Sequence, residues 1–235
     1  MGISFDKLQA QAPELVSLAK KAQFNLSKHG LDGQRAKVAL CLDHSGSMRG
    51  VYADGQMQAL AERLLAMATQ LDDDGCIDVF FFGTEAWYAG ELTIADYQGG
   101  VDRLREGHRL GRTDYAGAIR AVRQHFGLTG ETAGVHALPV YVLILTDGAP
   151  TSRSAAETEL REAAHYPAFW KFLSIGEEEI AFLQKLDDLT GRAVDNADYQ
   201  PVPDLTLLKD QALFDLLLTE YDTWLVAARE LGMLA

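Results

Sequence analysis

The stretch "VALCLDHSGSMRG", Val38 to Gly50, starts as one kind of structure and ends as another. Its first half, preceded by Ala36 and Lys37, is an unbroken apolar run closed by Asp43. That is the pattern of a strand buried on both faces of a parallel sheet. Its second half sets Asp43, Ser45 and Ser47 on alternate positions where the strand runs out. At that spacing three side-chain oxygens converge just past the strand end, while His44 points away and Gly46 gives the backbone room. Such a turn caps a helix, attacks a substrate or holds a cation, and the rest of the chain has to choose.

Working outward, strands and helices alternate. Leu15, Leu18, Ala19, Ala22 and Leu26 recur at helical spacing from Pro13 to Lys28, with His29-Gly30 as the stop. After the serine turn, Met57, Leu60, Ala61, Leu64, Leu65, Ala68 and Leu71 mark a second helix, and "CIDVFFFG" a second buried strand. "AWYAGELTI" alternates and reads as the antiparallel return of a hairpin at a sheet edge. A helix is expected from Asp96 to Arg105, and "GRTDY" opens another with Tyr115, Ala118, Ile119, Val122 and Phe126 along one face. "LPVYVLILTDG" is the strongest strand of the chain. A helix over Ala155 to His165, a strand "AFWKFLSIG", a helix carrying Ile180, Leu183, Leu186 and Leu189, and a short strand near "RAVDN" follow. The tail from Leu205 to Leu231 closes in one or two helices.

This order predicts an α/β fold: three layers, doubly wound, on a mostly parallel sheet with one antiparallel edge strand and right-handed crossovers. Residues 1–34 are expected to form a helical extension packed on the domain, which spans residues 35–235 and includes the C-terminal helices. "YQPVPDL", holding Pro201 and Pro203, marks the expected hinge.

Composition narrows the function. A net charge of −13 over 235 residues opposes nucleic acid and anionic membranes, which repel such a surface unless basic residues cluster. The most basic stretch, "VDRLREGHRLGR" from Val101 to Arg112, also carries Asp102 and Glu106, and reads as a solvated helix and loop. Cys41 and Cys76 each lie within a strand pattern, as buried reduced thiols do, so a cytoplasmic location is expected. No segment approaches the roughly 18 uninterrupted apolar residues of a membrane span.

In an open α/β sheet, ligands sit at the carboxyl ends of the strands where strand order reverses. Two strands here end in aspartate, Asp43 and Asp147. If these strands are neighbours, both carboxylates face one crevice, which is unfavourable without a cation or a shared proton. Ser45, Ser47 and Thr113 add neutral hydroxyls, with no His or Cys in the pattern. An all-oxygen set suits Mg²⁺, Mn²⁺ or Ca²⁺ rather than zinc. Taken singly, Ser47 and Thr113 also read as helix N-caps, Asp147-Gly148 as a turn, and Asp114 as a carboxylate favourable to a helix N-terminus. Their joint occurrence favours a metal.

With these residues in place, the chain resembles a von Willebrand factor type A (VWA) domain with a metal-ion-dependent adhesion site. The motif of an Asp-x-Ser-x-Ser turn, a distant Thr and a later Asp maps in order onto Asp43, Ser45, Ser47, Thr113 and Asp147. "LDHSGSM", "ALAERLLAMATQLDDDG" and "TDYAGAI" resemble the bacterial branch found with tellurium-resistance and stress-response proteins. The resemblance implies a Rossmann-like fold and direct binding of the ion by the hydroxyls, with aspartates acting partly through water. It further implies an open position completed by an Asp or Glu carboxylate of a protein partner, and no enzymatic activity.

Two other functions compete. Asp43 follows a strand as a nucleophile does in phosphoryl-transfer enzymes, which would make the chain a Mg²⁺-dependent hydrolase. Those sites add a second acid two residues on and a lysine, whereas this chain has Ser45 and no lysine beside the later motif. Alternatively, the C-terminal helices serve as a metal-independent scaffold. "LDDDGCID" lacks the spaced ligands and terminal Glu of a calcium loop and reads as a solvated helix end. Phe80, Phe81, Phe82, Trp87 and Tyr88, like Trp170 and Trp224, read as sheet core and edge packing rather than a ligand box.

Overall fold

The computed structural model describes residues 2–130, 138–176 and 179–234. Six strands form its sheet: β1 (Lys37–Asp43), β2 (Cys76–Phe82), β3 (Ala86–Thr93), β4 (Val140–Thr146), β5 (Ala168–Ile175) and β6 (Ala197–Val202), in the order β3-β2-β1-β4-β5-β6. All neighbours are parallel except the β2–β3 hairpin at one edge. From β1 the chain moves first to β2 on one side and later to β4 on the other, so strand order reverses between β1 and β4.

Alternation along each strand sends side chains into two cores. Leu40, Leu42, Leu143 and Leu145 face one, covered by α1 (Phe5–Gln11), α2 (Val16–Lys28), α4 (Gln56–Leu71), α9 (Asp210–Leu218) and α10 (Tyr221–Glu230). Cys41, Val142, Ile144 and Phe172 face the other, beneath α6 (Tyr115–His125), α7 (Arg153–Ala163) and α8 (Ala181–Asp187). Burial on both faces explains why the central strands read as continuous apolar runs. The three-layer, mostly parallel architecture with one antiparallel edge strand is the expected one. Cys41 is fully buried and Cys76 half-buried, both as free thiols. Trp170 and Trp224 lie in the core, as do Phe80, Phe81 and Phe82.

The amino-terminal segment joins the first core through Leu8, Leu15, Ala19, Ala22 and Leu26, and Ile3 donates its N–H to the Thr69 carbonyl at 2.6 Å. At the other terminus, Phe214, Leu217, Tyr221 and Trp224 close over Tyr141 and Phe169.

Local chemistry shifted several expected elements. The helix expected from Asp96 is α5 (Gly100–Arg105), because Asp96 instead accepts the Thr93 N–H and hydroxyl, and Gly99 takes a left-handed φ of 64°. Two short helices, α1 and α3 (Arg49–Ala53), were not anticipated. The strand expected near "RAVDN" begins only at Ala197. Arg192 closes that segment into a turn through the Leu189 and Asp187 carbonyls, and the true strand was masked by a charged residue, Asp198, on its buried face. "YQPVPDL" is accordingly no hinge, since Tyr199 to Val202 pair with β5. Pro201 is tolerated there because β6 is an edge strand.

Candidate metal centre

The reversal of strand order opens a crevice at the carboxyl ends of β1 and β4, and both motif aspartates stand there. Leu42 pairs with Leu145 across the seam, so Asp43 and Thr146 come side by side. Asp43 is fully buried. Its Oδ1 accepts the Ser45 N–H at 2.8 Å and its Oδ2 accepts the Thr146 hydroxyl at 2.6 Å. Tyr52 from α3 donates to the Asp43 carbonyl at 2.8 Å. Asp43 thereby locks the turn that carries the serines, facing inward rather than toward solvent.

The outward-facing oxygens form a chain. Ser45 Oγ lies 3.1 Å from Ser47 Oγ, and Ser47 Oγ donates to Asp147 Oδ1 at 2.9 Å. Ser47 is exposed and Asp147 half-exposed, so these groups line a mouth. Neither Ser47 nor Thr113 is a helix cap: α3 starts at Arg49 behind Met48, and α6 is capped by Asp114, whose Oδ1 accepts the Gly117 N–H at 3.0 Å. Capping does not use the two hydroxyls.

Thr113 arrives on the loop before α6. Gly111, two residues earlier, forms a bridge with Ser45 and donates its N–H to the His44 carbonyl at 2.8 Å. The Thr113 carbonyl accepts the Thr151 N–H at 2.8 Å, from the loop after Asp147. The Thr113 segment is thus stitched to both other loops, and the Thr113 hydroxyl makes no hydrogen bond among the described residues. Gly111 is required by close approach, since a Cβ there would lie 2.4 Å from the Thr84 nitrogen.

Burial pushes the Asp43 carboxyl up to about 6, reinforced by the nearby Asp147 charge and opposed by hydrogen bonds from Thr146 and Ser45. Ser45, Ser47 and Asp147 present hard oxygens spaced 3.1 and 2.9 Å, close to the ~3.0 Å edge of an octahedron with ~2.1 Å metal–oxygen bonds, with the Asp43 carboxylate behind them and Thr113 on a loop joined to both others. The residues fit a small dication.

His44 points away, as expected, packing edge-on against Tyr52, Phe81 and Trp87 at 5.6–5.7 Å. Burial lowers its pKa, with Arg105 acting the same way. Sequence reading missed Thr146, Tyr52 and Tyr115. Tyr115 donates to the Gly148 carbonyl and holds the turn after Asp147. Only Thr146, adjacent to Asp147, carried a positional hint.

Asp72, Asp73 and Asp74 lie close together. They end α4, and Asp73 and Asp74 are exposed as expected of "LDDDG", but Asp72 is buried and meets Arg35 at 2.7 Å and Lys37 at 2.8 Å. Although burial raises its pKa, those partners hold it at about 2.

A family described as the vWA found in the TerF C terminus matches residues 35–234. The uncharacterized protein YcbR of Bacillus subtilis (strain 168) is 33% identical over 223 residues, covering 93% of this chain and 89% of that one. Among solved structures, proximal thread matrix protein 1 from the mussel byssus, with a zinc-occupied MIDAS motif, aligns with a TM-score of 0.57 at 13% identity over 80% of this chain. This chain spans about half of that one, 48%. The SpRpn10 VWA domain aligns with a TM-score of 0.55 at 9% identity, over 77% of this chain and 93% of that domain. These structural likenesses speak for the fold.

Proposed function

The chain belongs to the family of VWA domains found in the TerF C terminus, and from that membership we propose that it is a non-enzymatic docking module whose grip on a protein partner depends on a divalent cation. The ligands are Asp43, Ser45, Ser47, Thr113 and Asp147, and the ion is Mg²⁺, with Mn²⁺ and Ca²⁺ as the other hard candidates. When bound, the ion supplies an electrophilic position that a partner's Asp or Glu carboxylate completes. The observation that carries this reading is the chain of oxygens from Ser45 through Ser47 to Asp147 at the mouth of the crevice, backed by a buried Asp43. The zinc in the byssus protein's MIDAS motif supports a dication at this place in the fold.

In this proposal each residue has a distinct task. Asp43 shapes the turn and supplies charge from behind, Ser45, Ser47 and Thr113 bind the ion directly, and Asp147 offsets the second charge. Thr146, Tyr52 and Tyr115 are positioning residues that hold the two loops in register. Residues 1–34 are an extension that braces the domain from below. We place the module in a bacterial tellurium-resistance or stress-response system of the cytoplasm. No helix of the described residues is long and apolar enough to cross a membrane.

Burial of Asp43, with both oxygens engaged, argues against its acting as a phosphoryl-transfer nucleophile. Calorimetric titration with Mg²⁺ and Mn²⁺ tests the proposal, together with capture of a partner that elutes with EDTA. Thr113→Ala should lower metal affinity while leaving the fold intact. Uptake of neither ion, or a partner retained in EDTA, overturns the reading.

A further inference from the structure

The loops that surround the candidate metal centre carry Arg49, Arg109, Arg112 and Arg153. All four are exposed, and among the described residues none pairs with a carboxylate, though the Arg153 guanidinium lies over the Phe182 ring at 5.8 Å. Elsewhere among the described residues Arg35, Arg63, Arg103, Arg105, Arg120, Arg123, Arg161 and Arg192 each meet an acidic side chain, and Arg229 donates to the Gln34 side-chain oxygen instead. The four come from three separate segments. Arg49 follows the serine turn, Arg109 and Arg112 flank Gly111 where it bridges to Ser45, and Arg153 begins α7 beside Thr151, whose N–H reaches the Thr113 carbonyl.

The loops are held in place by the fold. His108 stacks on Trp87 with centroids 4.3 Å apart, Arg105 lies over the Tyr52 ring at 4.6 Å, and the Arg112 N–H donates to Thr84 Oγ1 at 3.3 Å. The same loops also carry Asp54 after α3, Glu85 in the β2–β3 turn and Glu106 at the end of α5, while Asp114 is tied to the N-terminus of α6. Once a dication offsets Asp43 and Asp147, the four exposed arginines stand on the crevice loops with their charge unpaired, on a molecule whose net charge is −13.

We infer that this arginine collar selects the partner: a segment in which the coordinating Asp or Glu is flanked by further acidic residues. The inference rests on the metal-docking reading of the same site. Physically, the collar outweighs the overall negative charge because screening at physiological salt confines interactions to about 8 Å. A partner's flanking carboxylates therefore meet the arginines at contact range, while the distant acidic surface is largely screened. Guanidinium groups suit the task because their planar fork meets a carboxylate with two parallel hydrogen bonds. The crests of β5 and β6 carry Glu179 and Asp204 instead, so the acidic flanks extend toward α3 and the loop before α6.

Two short labelled peptides test this on the full chain at saturating Mg²⁺: one with a central Asp between serines, one with the same Asp between glutamates. Fluorescence anisotropy should show the glutamate-flanked peptide binding at least about tenfold tighter at low salt, with the advantage shrinking toward parity near 1 M salt. The triple variant Arg49→Gln/Arg112→Gln/Arg153→Gln should lose the preference yet take up Mg²⁺ by calorimetry as the parent does. Equal affinity for the two peptides in a chain that binds Mg²⁺ overturns the collar and leaves the metal reading standing. Arginine-dependent binding of the acidic peptide that EDTA does not weaken, in a chain taking up no metal, overturns the metal reading and keeps the collar. Binding of neither peptide overturns the collar, as does a preference that survives in the triple variant. Stronger capture of a phosphoserine-flanked peptide than of the glutamate-flanked one reassigns the collar to phosphate and overturns it as stated.

Discussion

The Ser47 hydroxyl donates to the Asp147 carboxylate at 2.9 Å across a sequence separation of 100 residues. That bond joins the turn after β1 to the turn after β4, over the seam where strand order reverses. In the bound state a dication would take its place, because a hydroxyl and a carboxylate already within adjacent-ligand spacing need little movement to share one ion. Removing either partner should therefore act on metal affinity rather than on the fold.

Thermal or chemical unfolding with added Mg²⁺ or Mn²⁺ should show stabilisation of about 1.4 kcal/mol when free metal is ten times its dissociation constant. Ser47→Ala and Asp147→Ala should each reduce that gain, with the metal-free stability of both variants within about 0.5 kcal/mol of the parent, since Ser47 is exposed and Asp147 only half-buried. A variant whose metal-linked gain equals the parent's would remove that residue from the ligand set.

Acid should weaken metal uptake. Burial raises the Asp43 carboxyl to about 6, so below that pH a proton competes with the ion and affinity falls by up to about tenfold per unit. The same shift has a consequence for the metal-free chain. A carboxyl whose folded pKa lies above its unfolded value favours the folded state when protonated, so this contribution is present below about pH 4 and is lost as pH rises through 6. Asp43→Asn keeps an acceptor for Ser45 or Thr146 and should flatten this limb in EDTA, read by urea unfolding at pH 5 and pH 8. An unchanged limb would refute the assignment to Asp43.

The fold also holds a buried charge pair far from the crevice. Lys171 of β5 and Asp198 of β6 are cross-strand neighbours, both buried, and the lysine ammonium also donates to the Thr219 carbonyl at 3.3 Å. Lys171→Met strands a carboxylate in the core and should cost about 3–5 kcal/mol, whereas Lys171→Met with Asp198→Leu should recover most of it. Denaturant midpoints of the two variants decide. Equal destabilisation in both would show that packing, not charge, dominates the site.

Gly111→Ala should displace the loop before α6, because its methyl group meets the Thr84 backbone at 2.4 Å. We expect metal affinity to drop several-fold, as Thr113 moves with the loop, while far-ultraviolet circular dichroism stays that of the parent. Parental affinity would show that Thr113 reaches its place independently of the Gly111 bridge.

How much of this was legible in the sequence follows from what periodicity encodes. The central strands β1, β2, β4 and β5 are two-face-buried and read as apolar runs, and the buried stripe of α4 has the residues its helical spacing indicated. β6 was misplaced because Asp198 interrupts its apolar face, and the charge that balances it lies on another strand. α5 was overextended because Asp96 prefers a local hydrogen bond to Thr93 over helical geometry. Ser47 and Thr113 each have a cap reading in isolation, and only the folded structure puts Met48 and Asp114 at those positions.

By itself the sequence determined the apolar faces of the central strands and of α4, which strands end in oxygen-bearing turns, and that five hard donors recur in a recognisable order, because apolar periodicity and turn chemistry are written into short stretches. Tertiary structure alone decided that Thr146, Tyr52 and Tyr115 brace the turns, that Lys171 meets Asp198, and that the loops carrying Arg49, Arg112 and Arg153 are joined to one another. The reason is geometric. The β1–β4 seam places side chains a hundred residues apart within contact, and strand order, unlike periodicity, is not carried by any single segment.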